Sequence, residues 1–214
     1  LYPNKTAVIK INDIKITENT KPFKIDITYP QIYQSDVFNK KVKDIIDEQI
    51  KSFKEYSLEN DEAVRKIDPE SYAKYPREYE LDISYTRGEI DENLISIVLN
   101  SYSFTGGAHG AGTFMALNYN QKTKTEIKLM DLFPDDKDYL QKISDFCIKD
   151  LTDQLTKSGG IEMTDASWIQ RGAGPTEENF SIFLINPDNT ITFYFPQYQV
   201  AAYATGDFRV IYSR

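Results

Sequence analysis

Two helical patterns, each set between segments of strand character, constrain the fold of this chain more than any other feature. The first follows Ser35, a residue type that often precedes a helix. Its core-facing positions recur at helical spacing: Phe38, Val42, Ile45, Ile46, Gln49 and Phe53. The second pattern covers residues 136–157 and ends at Gly159-Gly160. Its apolar stripe consists of Leu140, Ile143, Cys147, Leu151 and Leu155. Two long amphipathic helices are therefore predicted.

The segments around these helices alternate between apolar and polar residues, as half-buried strands do. Residues 79–85 and 94–104 predict one hairpin, and residues 114–119 and 126–129 predict another. The tetrapeptide Asn-Pro-Asp-Asn at residues 186–189 is typical of a turn between two further strands. Each half of the chain thus has strands, one long helix and strands. The pattern predicts an α+β protein of two small domains, each a mostly antiparallel sheet with one long amphipathic helix.

The first strand has an interrupted alternation. Ala7, Ile9 and Ile11 share one phase, whereas Ile14 and Ile16 share the other. A shift of one residue moves a side chain to the opposite face of a strand. The sequence therefore predicts a β-bulge or tight turn at Asn12-Asp13.

Composition excludes several classes of function. The net charge of −8 disfavours nucleic acid and anionic membranes, because those partners are bound through clustered lysine and arginine. The same charge favours a basic protein partner. No apolar run is long enough for a membrane span. Leu1-Tyr2-Pro3 resembles the N-terminus of a processed protein, so we expect that a leader or lipoprotein anchor has been removed.

His109 is the single histidine, and it lies in a loop with glycines at 106, 107, 110 and 112. Its ordinary pKa near neutrality would suit a general base or a ligand contact. The alternative is that it hydrogen-bonds to nearby backbone. The glycines lack the lysine of a phosphate-binding loop and precede a strand, so they predict a sharp turn or a close approach of backbone.

The sequence predicts no metal site and no cofactor. One histidine and one cysteine, Cys147, fall short of a zinc ligand set. The aspartates before the second helix, Asp135, Asp136 and Asp138, lack the spacing of a calcium loop and suit a helix N-terminus. No Gly-x-Ser-x-Gly motif is present.

Three aromatic residues lie near glycines and prolines in the second half of the chain. Trp168, Tyr198 and Tyr203 can line a groove for a sugar or a protein. Alternatively, they pack loops against a sheet. With His109, they are the ligand-binding candidates of this sequence.

Three ordered motifs carry a family resemblance. Residues 102–109 end in Gly-Gly-Ala-His, residues 129–133 read Leu-Met-Asp-Leu-Phe, and residues 193–206 read FYFPQYQVAAYATG. The chain resembles a bacterial extracytoplasmic family in which two domains of unknown function recur as a pair. Such pairs precede the catalytic domain of a peptidoglycan deacetylase and form the outer part of an anti-sigma factor that binds lysozyme. The resemblance implies a first domain at residues 1–111 and a second at residues 112–214.

The metal-binding Asp and His motifs of the deacetylase are not found here, so the resemblance does not imply deacetylation. It implies a non-enzymatic, extracytoplasmic binding or sensor module that recognises peptidoglycan or an envelope-directed protein such as lysozyme. The module would be secreted, or anchored through its removed leader. The competing hypothesis is a cell-wall glycan hydrolase, or a deacetylase-associated domain, that uses His109 and a nearby carboxylate, with Asp131 as the residue to suspect.

Overall fold

A computed structural model describes residues 9–75, 77–160 and 166–214. The strands belong to two sheets, one with the order β1-β2-β3-β4-β5-β6 and one with the order β7-β8-β9. The described residues form two compact units. We call residues 9–85 and 99–113 the N-terminal unit, and residues 86–98 and 114–214 the C-terminal unit. The chain contains helices as well as these two sheets, which confirms the α+β class.

The N-terminal unit begins with a hairpin of β1 (Ile11–Thr20) and β2 (Phe23–Ile32). The two strands pair one to one along their whole length, from Ile11 with Ile32 to Thr20 with Phe23. The bulge predicted at Asn12-Asp13 is therefore wrong, because Ile11 occupies one face of an unbroken strand and Ile14 occupies the other. The earlier part of that pattern, at Ala7, lies outside the described residues.

Helix α1 (Asp36–Ile67) connects β2 to β3 (Tyr79–Ile90), with the short helix α2 (Pro69–Lys74) between them. The first residues of β3 run parallel to β2, which is the arrangement that a helical crossover allows. Helix α1 buries Phe38, Val42, Ile46, Phe53 and Ser57. The Asn39 side chain fixes its start, since it accepts from the Ile32 amide at 2.8 Å and donates to the Ile32 carbonyl at 2.7 Å.

The apolar stripe of α1 ends at Phe53, yet the helix continues to Ile67 because a tertiary contact holds its last part. Asp61 accepts hydrogen bonds from the hydroxyls of Tyr72 in α2 and Tyr79 in β3, each at 2.5 Å. The Tyr79 ring is fully buried. Burial by itself would raise the pKa of the Asp61 carboxyl. The two hydroxyl donors, together with the charges of Arg77 and Arg65, outweigh burial and hold the pKa below its ordinary value.

We expect the N-terminal unit to lose stability in acid, because the Asp61 carboxyl becomes protonated. A carboxyl whose folded pKa is depressed stabilises the fold above its unfolded pKa of about 3.9, and that contribution is lost as the pH falls through the folded pKa. Asp61→Asn should therefore unfold more easily at neutral pH, by about 1–2 kcal/mol. It should also lose much of the acid slope of stability, the fall in stability as the pH drops below about 4.

Urea titrations of the wild type and the variant at several pH values measure both effects. Asp44→Asn is the matched control, since Asp44 pairs with Lys40 on the exposed face of the same helix. An equal change of the acid slope in both variants would contradict the role of Asp61.

Strands β4 (Leu94–Phe104) and β5 (Ala111–Asn120) follow β3, and β6 (Thr125–Glu126) pairs with the end of β5 across a turn. In the C-terminal unit a 3₁₀ turn at Leu129–Leu132 leads to helix α3 (Tyr139–Ser158). Gly159 ends that helix in the left-handed conformation, with φ of 74°, as the sequence predicts.

The second sheet contains β7 (Phe183–Ile185), β8 (Thr190–Phe195) and β9 (Phe208–Ser213), all antiparallel. The predicted hairpin around residues 186–189 is confirmed. The buried stripe of α3 packs with the inner residues of this sheet, among them Phe193, Phe195 and Val210. Helix α4 (Ala166–Gly172) lies between α3 and this sheet along the chain.

Candidate functional site

Tyr198 occupies an unusual backbone position in the loop that follows β8. Its φ is 70°, in the left-handed region that residues other than glycine seldom adopt. The side chain is 56% exposed. Such conformations persist only where the surrounding structure enforces them, and they cluster at functional sites. This loop is therefore a candidate site.

The side chain of Gln199 holds the loop in place. Its amide nitrogen donates to the carbonyls of Gly172 at 2.8 Å and Asn179 at 2.9 Å. The Asn179 amide in turn donates to the carbonyls of Arg171 and Gly174, both at 2.9 Å. These bonds join the loop after β8 to the end of α4, so Tyr198 is presented on a rigid support.

Trp168 and Tyr203 complete an aromatic cluster, which we define as Trp168, Tyr198 and Tyr203. The Trp168 indole in α4 donates to the Tyr198 carbonyl at 2.8 Å. The rings of Tyr198 and Tyr203 are 5.6 Å apart between centroids and inclined by 37°. The structure thus brings three of the four ligand-binding candidates together. Partly exposed aromatic faces next to polar edges are typical of surfaces that bind sugars or proteins.

His109 is exposed in the glycine-rich loop of the N-terminal unit, and its Nδ1 lies 2.9 Å from the Gly110 carbonyl. Gly106 has a φ of 90°, and its carbonyl accepts from the Arg77 guanidinium at 2.9 Å. A Cβ on Gly110 would lie 2.3 Å from the Tyr102 ring. The predicted sharp turn and close backbone approach are therefore confirmed.

Asp131 is exposed in the C-terminal unit, and its side chain makes a local hydrogen bond. Its carboxylate accepts from the Lys128 amide at 2.8 Å and so caps the 3₁₀ turn that contains it. This contact is a sufficient structural role for the residue. The roles of His109 and Asp131 in catalysis stay predictions, as does ligand binding by His109 and the aromatic cluster.

Two family models match the chain in succession. The model described as "Deacetylase PdaC" matches residues 16–111, and the model described as "Protein of unknown function (DUF3298)" matches residues 130–211. This chain is a tandem of a PdaC domain and a DUF3298 domain. The paired-domain resemblance is thereby confirmed, whereas the boundary between residues 111 and 112 stays a prediction.

Among curated proteins, the tandem is 28% identical over 206 residues to the peptidoglycan-N-acetylmuramic acid deacetylase PdaC of Bacillus subtilis. The match covers 96% of this chain and 39% of that protein. The tandem therefore corresponds to well under half of the relative's length, which limits what the relative's name says about it.

Two solved structures share the fold of the tandem. A DUF3298 family member from Bacteroides fragilis matches with a TM-score of 0.66 at 19% identity, over 96% of this chain and 90% of that one. A DUF3298 family protein from Pseudomonas aeruginosa matches with a TM-score of 0.57 at 12% identity, over 97% and 92%.

The described part of the tandem contains no cluster of three or more His, Cys, Asp or Glu residues that could hold a metal ion. Asp136 instead pairs with Lys142 at 2.6 Å, at the start of α3. Burial raises the pKa of the Cys147 thiol to about 12, so it is no nucleophile at neutral pH. No helix among the described residues is long and apolar enough to cross a membrane.

Gln199 and Asn179 are the residues of this site that the sequence did not indicate. Gln199 bonds to the carbonyls of Gly172 and Asn179, which lie 27 and 20 positions away along the chain, and Asn179 bonds to those of Arg171 and Gly174. The one sequence signal is the position of Gln199 next to Tyr198 within the third family motif.

Proposed function

We propose that the tandem is a non-enzymatic, extracytoplasmic binding or sensor module, and that it recognises peptidoglycan or an envelope-directed protein such as lysozyme. The aromatic cluster carries this proposal. It presents Tyr198 on a strained but firmly held loop, and binding surfaces often rely on a few aromatic side chains presented in this way. In this proposal the protein is secreted, or held at the cell surface as a lipoprotein.

Two further observations support the proposal. The related deacetylase of Bacillus subtilis has a name that refers to peptidoglycan, which favours a cell-wall ligand. The net charge of −8 favours a cationic protein partner. A basic partner would bind less tightly as salt increases, whereas stacking of a sugar on tyrosine rings would depend little on salt.

Tyr198→Gly is expected to weaken binding to the ligand at least about tenfold, the equivalent of 1.4 kcal/mol. Glycine accepts a φ of 70° without strain, so this variant removes the ring and preserves the loop. The hydrogen bond from Trp168 is also preserved, because its acceptor is the backbone carbonyl. Pull-downs with purified peptidoglycan and, separately, with lysozyme across a salt series measure the effect.

Tyr33→Ala is the matched control, since Tyr33 is a 62% exposed tyrosine in the N-terminal unit. Binding to lysozyme that weakens with salt would identify the protein partner, and retention on peptidoglycan at all salt concentrations would identify the glycan. Binding of neither, or equal losses in Tyr198→Gly and Tyr33→Ala, would refute the proposal.

A further inference from the structure

A cleft in the N-terminal unit, separate from the aromatic cluster, has a volume of about 650 Å³. This volume lies within the range of about 300–1,000 Å³ that is usual for small-ligand sites. Its apolar part is formed by Phe53 of α1 and Leu81 of β3, which are both buried. Apolar side chains combined with placed polar groups are usual in ligand sites.

One wall of the cleft is a row of hydroxyl groups. Ser101 and Ser103 in β4 and Thr105 just after it alternate along the chain, so their side chains share one face. Thr113 of β5 adds a fourth hydroxyl. Hydroxyls donate and accept hydrogen bonds, which matches the hydroxyl groups of a sugar.

A second wall is formed by a polar face of α1. Gln49, Ser52, Tyr56 and Glu59 recur at spacings of three and four residues, and Glu55 lies beside them. The Tyr56 side chain is 57% exposed, so its ring is available for stacking. This wall adds an aromatic face, an amide and two carboxylates to the hydroxyl row.

Charge narrows the class of ligand. Elsewhere on α1, carboxylates pair with lysines one turn away: Lys40 with Asp44, Lys43 with Asp47 and Glu62 with Lys66. Among the described residues, neither Glu55 nor Glu59 has such an ion pair, and no basic residue lines the cleft. The cleft therefore favours a cation and disfavours an anion.

Ser101 also orients the amide of Gln49. Its hydroxyl donates to the Gln49 carbonyl oxygen at 2.8 Å, which occupies that acceptor. The amide nitrogen is then the group that Gln49 presents as a donor, and it suits a ligand oxygen. The cleft thus combines donors for ligand oxygens with carboxylates for a ligand amine.

We propose that this cleft binds an amino sugar, either alone or in an oligomer, with its free amine at Glu55 and Glu59. The sugar hydroxyls bond to the row of Ser101, Ser103 and Thr105, and a pyranose face stacks on Tyr56. A basic peptide would use the carboxylates but leave the hydroxyl row without a function, so the amino sugar fits more of the cleft. The proposal does not depend on the aromatic cluster, which lies in the other unit.

The test uses two sugars that differ in charge. Binding of a glucosamine oligomer and of the N-acetylated oligomer of equal length is measured by calorimetry at about pH 6, where the free amines are charged. The whole chain is used. We expect the glucosamine oligomer to bind at least about tenfold more tightly. Equal affinity for the two sugars, or no binding of either, would overturn the proposal.

Variants locate the site. Glu55→Gln with Glu59→Gln should weaken binding of the glucosamine oligomer at least about tenfold, and Tyr56→Ala should weaken both sugars. Asp44→Asn with Asp47→Asn removes two paired carboxylates from the same helix and should leave binding unchanged. Tyr33→Ala, at an exposed tyrosine that does not line the cleft, should also leave it unchanged. Tight binding of an oligolysine peptide without binding of the sugar would overturn the proposal in favour of a basic protein.

Discussion

Gly172→Ala is expected to destabilise the C-terminal unit by about 3 kcal/mol, the upper part of the usual range for overpacking. The added Cβ would lie 1.9 Å from the Gln199 carbonyl oxygen and 2.7 Å from its carbonyl carbon. Both atoms belong to backbone, so no side-chain rotation relieves the clash. The loop that carries Tyr198 must therefore move, and the bond from Gln199 to the Gly172 carbonyl is strained or lost.

Thermal unfolding followed by Trp168 fluorescence measures this effect directly, because Trp168 is the single tryptophan of the chain and contacts the displaced loop. The midpoint should fall by about 6–12 °C. Gly112→Ala is the matched control, since nothing lies within 4 Å of its added Cβ. A midpoint for Gly172→Ala equal to that of the control would show that the loop is not packed as described.

Asn118→Leu is expected to cost about 2–4 kcal/mol, because it removes the centre of a buried hydrogen-bond network in the C-terminal unit. Asn118 in β5 accepts from the Ser96 hydroxyl at 2.6 Å and donates to the Phe183 carbonyl at 2.9 Å. The Ser96 hydroxyl accepts from the Ile185 amide at 2.8 Å. Leucine would leave the Phe183 carbonyl without this donor in an interior that excludes water.

Urea unfolding of the wild type, Asn118→Leu, Ser96→Ala and the double variant forms a cycle that isolates the coupling. The two single losses should sum to more than the double variant loses, since both remove the same bond. Asn12→Leu, on the exposed face of β1, is the control for the change of residue type. Additive losses, or a loss no larger than that of Asn12→Leu, would contradict a shared buried network.

Local patterns predicted much of the fold because each depends on neighbouring residues alone. The stripe of α3, its glycine stop and the turn at residues 186–189 are all fixed by side chains within a few positions. The same logic failed for β1, where Ile11 and Ile14 lie on opposite faces of a regular strand. The apolar stripe also stops at Phe53, whereas α1 continues to Ile67, where Asp61 is held by tyrosines from two other elements.

The candidate site, like the fold, was predicted from the sequence only in part. The sequence by itself indicated Trp168, Tyr198 and Tyr203, since aromatic residues near glycines and prolines stand out in a sequence. Their proximity, the strained backbone of Tyr198 and the part played by Gln199 arise only when α4 and the loop after β8 meet. Nothing in the sequence marks Glu55 and Glu59, which lie on a polar face of α1. Only the tertiary structure brings that face and the hydroxyl row of β4 into one cleft, because hydrogen bonds and packing between distant segments decide which polar faces enclose a cleft.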